Sequence, residues 1–246
     1  MERPDCIALF TDFGWNGPYV GQLHAALLGA GRPVIDLQHD APAFAPRAAA
    51  YLLAALADEL PPATLFLAVV DPGVGGARRP LLLRTGRGWL VGPDNGLLAV
   101  AARRQGIVAA WEVAWRPPRL SASFHGRDLF APVCVALCRG EPPPGVALAP
   151  VTLTGWDWPE ELAEVIYFDD YGNAYSGVRA SGLARTMRVR VGGRLLEYAR
   201  TFAEVAPGVA FWYENSCGLL EVAVNQGSAR RQLDLRAGVP VELVGG

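Results

Sequence analysis

Blocks of apolar residues alternate with polar breaks along residues 7–139. Residues 7–10 and 34–37 are short apolar runs of strand character. Residues 47–60, rich in alanine and leucine and stopped by Pro61 and Pro62, predict a helix. Residues 64–70 form an apolar run of strand length. Residues 81–83 and 89–91 predict two more strands, with Gly86-Arg87-Gly88 turning between them. Residues 97–104 and 127–139 have helical character. Alternation of this kind favours a mainly parallel sheet with flanking helices. The texture changes at Glu141-Pro142-Pro143-Pro144-Gly145, a turn-rich break. Beyond Trp158 and Pro159 the pattern is β. Residues 164–169 are strand-like, Tyr171-Gly172-Asn173 turn-like, and residues 187–191 alternate with period two before the hairpin signal Gly192-Gly193. Short runs at 209–213, 219–225 and 239–244 complete the set. The expectation is an α/β N-terminal domain over residues 1–154, then a small all-β, barrel-like domain over 155–246, with no repeat or low-complexity tract.

Composition narrows the function. A chain of 246 residues, 51% hydrophobic, can bury a substantial core. The 22 basic and 24 acidic side chains nearly cancel. That argues against nucleic acid as a partner, since its binders carry a basic field. No apolar run approaches the ~18 residues of a membrane span. No signal-peptide hydrophobic segment follows Met1-Glu2-Arg3-Pro4-Asp5. The expectation is a cytoplasmic protein with no membrane partner. Every basic residue is arginine. Schiff-base, P-loop and kinase-type lysine chemistry are therefore absent, and the glycine-rich residues 71–76 are no Walker A loop. Nor do they fit a dinucleotide loop, because G-x-G-x-x-G is missing. Cys6, Cys134, Cys138 and Cys217 form no C-x-x-C pair and predict packed, reduced thiols rather than a zinc site.

Three polar motifs end apolar runs: Thr11-Asp12-Phe13-Gly14, Asp71-Pro72-Gly73-Val74-Gly75 and Gly92-Pro93-Asp94-Asn95-Gly96. A fourth, Phe124-His125-Gly126-Arg127-Asp128, precedes a helical stretch. Ligands of α/β sheets sit outside the carboxyl ends of parallel strands, so such motifs can converge on one pocket.

With Asp169-Asp170-Tyr171-Gly172-Asn173 and the segment from Asn215-Ser216-Cys217-Gly218 through Glu221 to Asn225, these motifs run in order over nearly the whole chain. In this they closely resemble the S-adenosyl-L-methionine (SAM) hydroxide adenosyltransferases, the SAM hydrolases related to fluorinases and chlorinases. The resemblance implies an α/β domain followed by a β-barrel. It implies a homotrimer with sites between one subunit's N-terminal domain and its neighbour's C-terminal domain. The reaction implied is attack of water or hydroxide at ribose C5′, with L-methionine leaving and adenosine formed. SAM is substrate, and no cofactor or metal is required.

The same resemblance assigns residues. Asp71, Arg78 and His125 would hold and activate the water. A carboxylate or imidazole in hydrogen-bond reach can accept the proton of attacking water, and an arginine keeps the carboxylate ionised and oriented. Arg79 competes with Arg78 for that place. Asp12 would accept from the ribose hydroxyls, with Phe44 against the sugar or in the core. Asp169 would face the methionine ammonium, Asn173 the adenine edge, and Tyr171 and Phe202 the base. Ser216 would touch the carboxylate, and Glu221 with Val224, Asn225 and Gln226 would form the adenine-recognition strand. Asp94 and Asn95 are read as turn residues or ligand contacts, Arg127 and Asp128 as structural, and His24 and His39 as helix surface and loop packing. Gly17 stands where relatives often carry an acid that helps hold the ammonium, and Cys217 where halogenases carry arginine. Two alternatives remain at this point: a SAM-dependent halogenase, against which Asp71 and His125 argue, and a non-catalytic adenosine- or SAM-binding protein.

Overall fold

Among the described residues the first unit builds one sheet from β1 (Cys6–Thr11), β2 (Val34–Gln38), β3 (Thr64–Val69), β4 (Pro80–Thr85), β5 (Gly88–Pro93), β6 (Ile107–Val113) and β7 (Gly145–Leu148). The computed structural model describes residues 3–141 and 145–245, so the expected break at Pro142-Pro143-Pro144 lies outside the described residues. The strand order is β2-β1-β3-β5-β4-β6-β7. The pairings among β2, β1, β3 and β5 are parallel. From β5 outward each pairing is antiparallel, beginning with the β4–β5 hairpin. β1 and β3 are buried at every position, which is why they read as continuous apolar runs instead of alternating.

Helices α1 (Tyr19–Leu27), α2 (Pro46–Asp58), α3 (Ala99–Arg104) and α4 (Ala131–Arg139) flank this sheet. Leu23 and Leu27 of α1 and Val133 and Leu137 of α4 share one core with Ile7, Leu9, Leu65 and Leu67. The helical stretch predicted over 127–139 opens as a π-turn, Gly126–Phe130, and becomes α-helical only at Ala131. Pro132 explains the change. It has no N–H for the carbonyl four residues back, and its ring crowds that carbonyl, so the preceding turn widens.

A hydrogen-bond network centred on the buried His39 and Thr11 holds the loop after β1. The His39 ring bonds Thr11 Oγ1 through Nδ1 at 2.7 Å and Asp36 Oδ1 through Nε2 at 2.8 Å. His24 Nε2 reaches the same Asp36 oxygen at 2.7 Å. Burial alone would raise the Asp36 carboxyl, but the two imidazoles outweigh it and hold it below its ordinary range. Thr11 Oγ1 also accepts from Phe13 N at 3.3 Å, and the His39 carbonyl accepts from Gly14 N at 2.6 Å. Asp12 is thus clamped on both sides.

The first unit runs to Trp158 and the second begins at Pro159. Residues 150–158 are tied to the first unit. The Thr152 carbonyl accepts from Arg79, Thr154 N donates to Asp94, and the Trp156 carbonyl accepts from Arg103. Trp158 packs where any side chain on Gly96 (φ +94°) would stand.

The described strands of the second unit are β8 (Leu162–Phe168), β9 (Ala174–Arg179), β10 (Arg188–Val191), β11 (Arg194–Leu196), β12 (Ala210–Glu214), β13 (Leu219–Val224) and β14 (Glu242–Val244). They form antiparallel sheets in the orders β12-β13-β9-β8 and β11-β10-β14. Two isolated bridges, Glu164 to Pro240 and Tyr198 to Trp212, join the edges. Through these two contacts the order runs β8-β14-β10-β11-β12-β13-β9 around a shared core, a small barrel-like unit. Its interior is filled by Val189, Val191, Val222, Val224 and Trp212. The Trp212 indole N–H is satisfied by the Met187 carbonyl at 2.9 Å.

Thr11→Val keeps the shape of its side chain and leaves the His39 ring nitrogen and the Phe13 amide without their partner. The expected cost is about 1–3 kcal/mol, read as a lower urea midpoint with unchanged slope. An unaltered midpoint would show that the network does not stabilise this loop.

Candidate active site

β1 and β3 are parallel neighbours in register, Thr11 opposite Val69. Their carboxyl ends therefore deliver Asp12 and Asp71 side by side. The chain leaves β1 for β2 on one side and returns to β3 on the other, so this is a topological switch point, where α/β sheets bind ligands. A cavity of about 360 Å³ opens there, lined by Asp12, Phe44, Asp71 and His125 together with Phe13, Tyr19 and Phe124.

Arg78 joins the polar members. Its Nε and Nη2 donate to Asp71 Oδ2 at 2.9 and 2.5 Å, and Nη2 also donates to His125 Nδ1 at 2.9 Å. The Asp71 side chain is 3% exposed and that of Arg78 10%. A guanidinium has donors only, so His125 Nδ1 must be the acceptor. The imidazole is then neutral with its proton on Nε2. Burial, reinforced by the Arg78 charge, pushes the His125 pKa down and favours that neutral form. Among the described residues Nε2–H has no partner and is left as the ring's donor.

Asp12 is raised above the usual carboxylate range by burial, opposed by the Phe44 amide and assisted by the nearby Asp71 charge. Phe44 N approaches Asp12 Oδ2 at 3.4 Å. Phe44 has φ +57° and is 78% exposed. A bulky residue in the left-handed region is strained, and such strain gathers at ligand sites.

Arg79 does not share the Asp71 contact. It pairs with Asp94, 4% exposed in its side chain, whose other oxygen accepts from Thr154 N. Asn95 spans the Val70 carbonyl and Leu97 N. Both residues hold turns. Arg127 pairs with Asp128, which accepts from Ser121 N and so ties down the loop before His125.

The barrel carries a larger cavity of about 780 Å³, lined by Asp169, Tyr171, Asn173, Phe202, Ser216, Glu221, Val224 and Gln226. Asn225 is not among the lining residues; its amide donates to the Val205 carbonyl at 2.7 Å and steadies the turn. Gln226 follows at φ +55°. Glu221 is 1% exposed, beneath Tyr213 Oη at 2.5 Å and Asn215 Nδ2 at 2.9 Å. Burial pushes its pKa up to about 7, against the hydrogen bonds of Tyr213 and Asn215 and helped by the Asp169 charge. Tyr213 and Tyr175, raised in turn by burial, escaped sequence reading. They meet Glu221 only as cross-strand partners on β12 and β9, and nothing in the local sequence announces that pairing. The aromatic set Phe13, Tyr19 and Phe124, with ring centroids 5.2–5.9 Å apart, escaped likewise, although Phe13 and Phe124 stand inside the motifs.

Among the described residues no group of three or more His, Cys, Asp or Glu is placed to hold a metal ion, and no helix is long and apolar enough to cross a membrane. Comparison with known proteins identifies the family. Family models match at two places: the SAM hydroxide adenosyltransferase N-terminal domain over residues 7–147 and the C-terminal domain over 163–242. The chain is 40% identical to an (R)-S-adenosyl-L-methionine hydrolase of Thermus thermophilus, over 97% of this chain and 99% of the relative. It is 39% identical to one of Salinispora arenicola, over the full length of both. The crystal structure of an uncharacterized conserved protein from Thermotoga maritima superposes with a TM-score of 0.87 at 31% identity, covering 97% of this chain and 100% of that one. With both domains matched in order, the chain belongs to the SAM hydroxide adenosyltransferase family.

Proposed function

We propose that the protein hydrolyses SAM to adenosine and L-methionine by attack of water at ribose C5′. The observation that carries this reading is the single guanidinium shared between Asp71 and His125 at the edge of one cavity. Asp71, gripped by the Arg78 fork, accepts a proton from water. His125 Nε2–H donates to the water oxygen and aims a lone pair at C5′. The O–C5′ bond forms as the C5′–S bond breaks, and the electron pair stays on sulfur, turning the sulfonium into the neutral thioether of methionine. The proton passes from Asp71 to solvent. Because the leaving group departs uncharged, no general acid is needed on its side, and alignment of oxygen, carbon and sulfur carries most of the acceleration. Arg78 is a positioning residue.

Asp12 takes the ribose hydroxyls and Phe44 lies against the sugar. In the barrel cavity Asn173 reads the adenine edge between Tyr171 and Phe202. Val224 and Gln226 line the base, with Asn225 supporting their turn. Ser216 meets the methionine carboxylate. Asp169 and Glu221 supply negative charge that favours a cationic sulfonium over neutral products. The exposed rings of Phe44 and Tyr171, 78% and 80%, support a homotrimer in which one subunit's ribose cavity is completed by a neighbour's barrel cavity. The consumption of SAM, a metabolite of the cell interior, fits a cytoplasmic place. Light scattering tests the trimer.

Hydrolysis in ¹⁸O-water should place the label on the 5′-hydroxyl of adenosine; unlabelled adenosine would overturn attack at C5′. Asp71→Asn is expected to lower kcat about 100-fold, within the usual range of acid–base contributions, with KM changed less than about threefold.

A second expectation follows from Glu221. As pH rises through about 7 this carboxyl ionises and the cavity gains a negative charge. Affinity for SAM, measured on the slow Asp71→Asn variant, should then rise about 3–10-fold relative to adenosine between about pH 6 and about pH 7.5. Adding Glu221→Gln should remove this component while leaving the titration of the ligand's own ammonium.

A further inference from the structure

Asn173 lies in the turn between β8 and β9 and is 4% exposed. Asp169 grips it twice: Oδ1 accepts from Asn173 N at 2.8 Å, and Oδ2 accepts from Asn173 Nδ2 at 2.9 Å. The Asp169 amide in turn donates to the Asn173 carbonyl at 3.2 Å. An ionised carboxylate only accepts, so the amide nitrogen must face Asp169. A flip would set two oxygens against each other in a buried place, where an unpaired polar group is costly. The donor–acceptor polarity of Asn173 is therefore set before any ligand arrives. Its Oδ1 takes no hydrogen bond from the described residues and remains accessible in the barrel cavity.

The consequence is selectivity. With Nδ2 anchored, Asn173 offers the cavity a carbonyl acceptor beside the second amide hydrogen as donor. That pair matches the N6–H and N7 edge of a 6-amino purine. A 6-oxo purine presents acceptors at both places, and its O6 would meet Asn173 Oδ1 head on. Resting on the reading of Asn173 as the base contact, we infer that Asp169 is a positioning residue that makes the site select 6-amino over 6-oxo purines. This role comes in addition to the charge it contributes toward the sulfonium. The neighbouring amide and phenol play no part in this, since Tyr213 and Asn215 are engaged with Glu221.

The test uses the whole protein and three nucleosides that it does not hydrolyse: adenosine, inosine and purine riboside, which has no substituent at C6. Calorimetric Kd values for the wild type should rank adenosine tightest and inosine weakest. The adenosine-to-inosine ratio should be at least about 10-fold, the scale of one mismatched polar contact. In Asp169→Asn the new amide can partner either orientation of Asn173, so the ratio should fall to within about threefold. Purine riboside, blind to that polarity, should keep its Kd within about threefold. The N1 position differs between the ligands but is read alike in both proteins, so the change in ratio reports C6 alone. A ratio unchanged in Asp169→Asn overturns the inference. So does a wild type that binds inosine more tightly than purine riboside, because that requires an amide free to turn; this arm stands even where the variant does not fold. Failure of all three nucleosides to bind the wild type would instead overturn the base pocket itself.

Discussion

One guanidinium organises the α/β cavity. Arg78 is almost buried, and a buried charge is tolerated only when paired and hydrogen-bonded. Its fork satisfies this with Asp71 on one side and His125 on the other, and its planar face lies over the Phe130 ring at 5.9 Å. Lysine could not do the same, because a compact ammonium lacks the rigid fork that spans two partners. The contact joins the end of β3 to the turn before α4. It also fixes the imidazole as neutral, with Nδ1 accepting from Arg78 and the proton on Nε2. The chemistry proposed for the site depends on that assignment more than on the presence of an acid and a histidine as such.

The barrel uses the same device with different groups. There a carboxylate orients a neutral amide, as the guanidinium orients a neutral imidazole in the first unit. In each case an ionisable side chain is committed to a neighbour and fixes which hydrogen-bonding face that neighbour presents. His39 is a third instance: Asp36 fixes its ring so that the other nitrogen meets Thr11. Buried polar networks of this kind are favourable only when every member is satisfied, and the short chain Phe13–Thr11–His39–Asp36 meets that condition.

Much of this was legible in the sequence, for physical reasons. Fully buried strands read as unbroken apolar runs, so β1, β3 and β5 and the motifs at their ends could be placed. Asp71 and Arg78 are close in the chain and meet across one turn. What could not be read was set by pairing between distant segments. β6 and β7 lie at the antiparallel edge, half exposed, and their mixed burial hides any period. The two bridges that join the sheet edges are single residue pairs. The place of Arg79 on Asp94, rather than on Asp71, follows from where residues 150–158 fold back. The environment of Glu221 depends on strands β9 and β12 flanking β13, since Tyr175 and Tyr213 reach it only through that register.

The placement of charge agrees with the direction of the proposed reaction. SAM carries a sulfonium, and its hydrolysis removes that positive charge from the organic products. In the proposed binding mode, a cavity holding Asp169 and a partly ionised Glu221 would attract the substrate more than either product, since Coulomb attraction to the sulfonium vanishes as the C5′–S bond breaks. In the proposed trimeric site the same field would oppose a free anion approaching as nucleophile, as would the carboxylate of Asp71. In the proposed mechanism water, neutral and able to donate to Asp71 while accepting from His125, is the nucleophile that uses both groups. Halide could not donate to the Asp71 carboxylate and could use only the single imidazole donor.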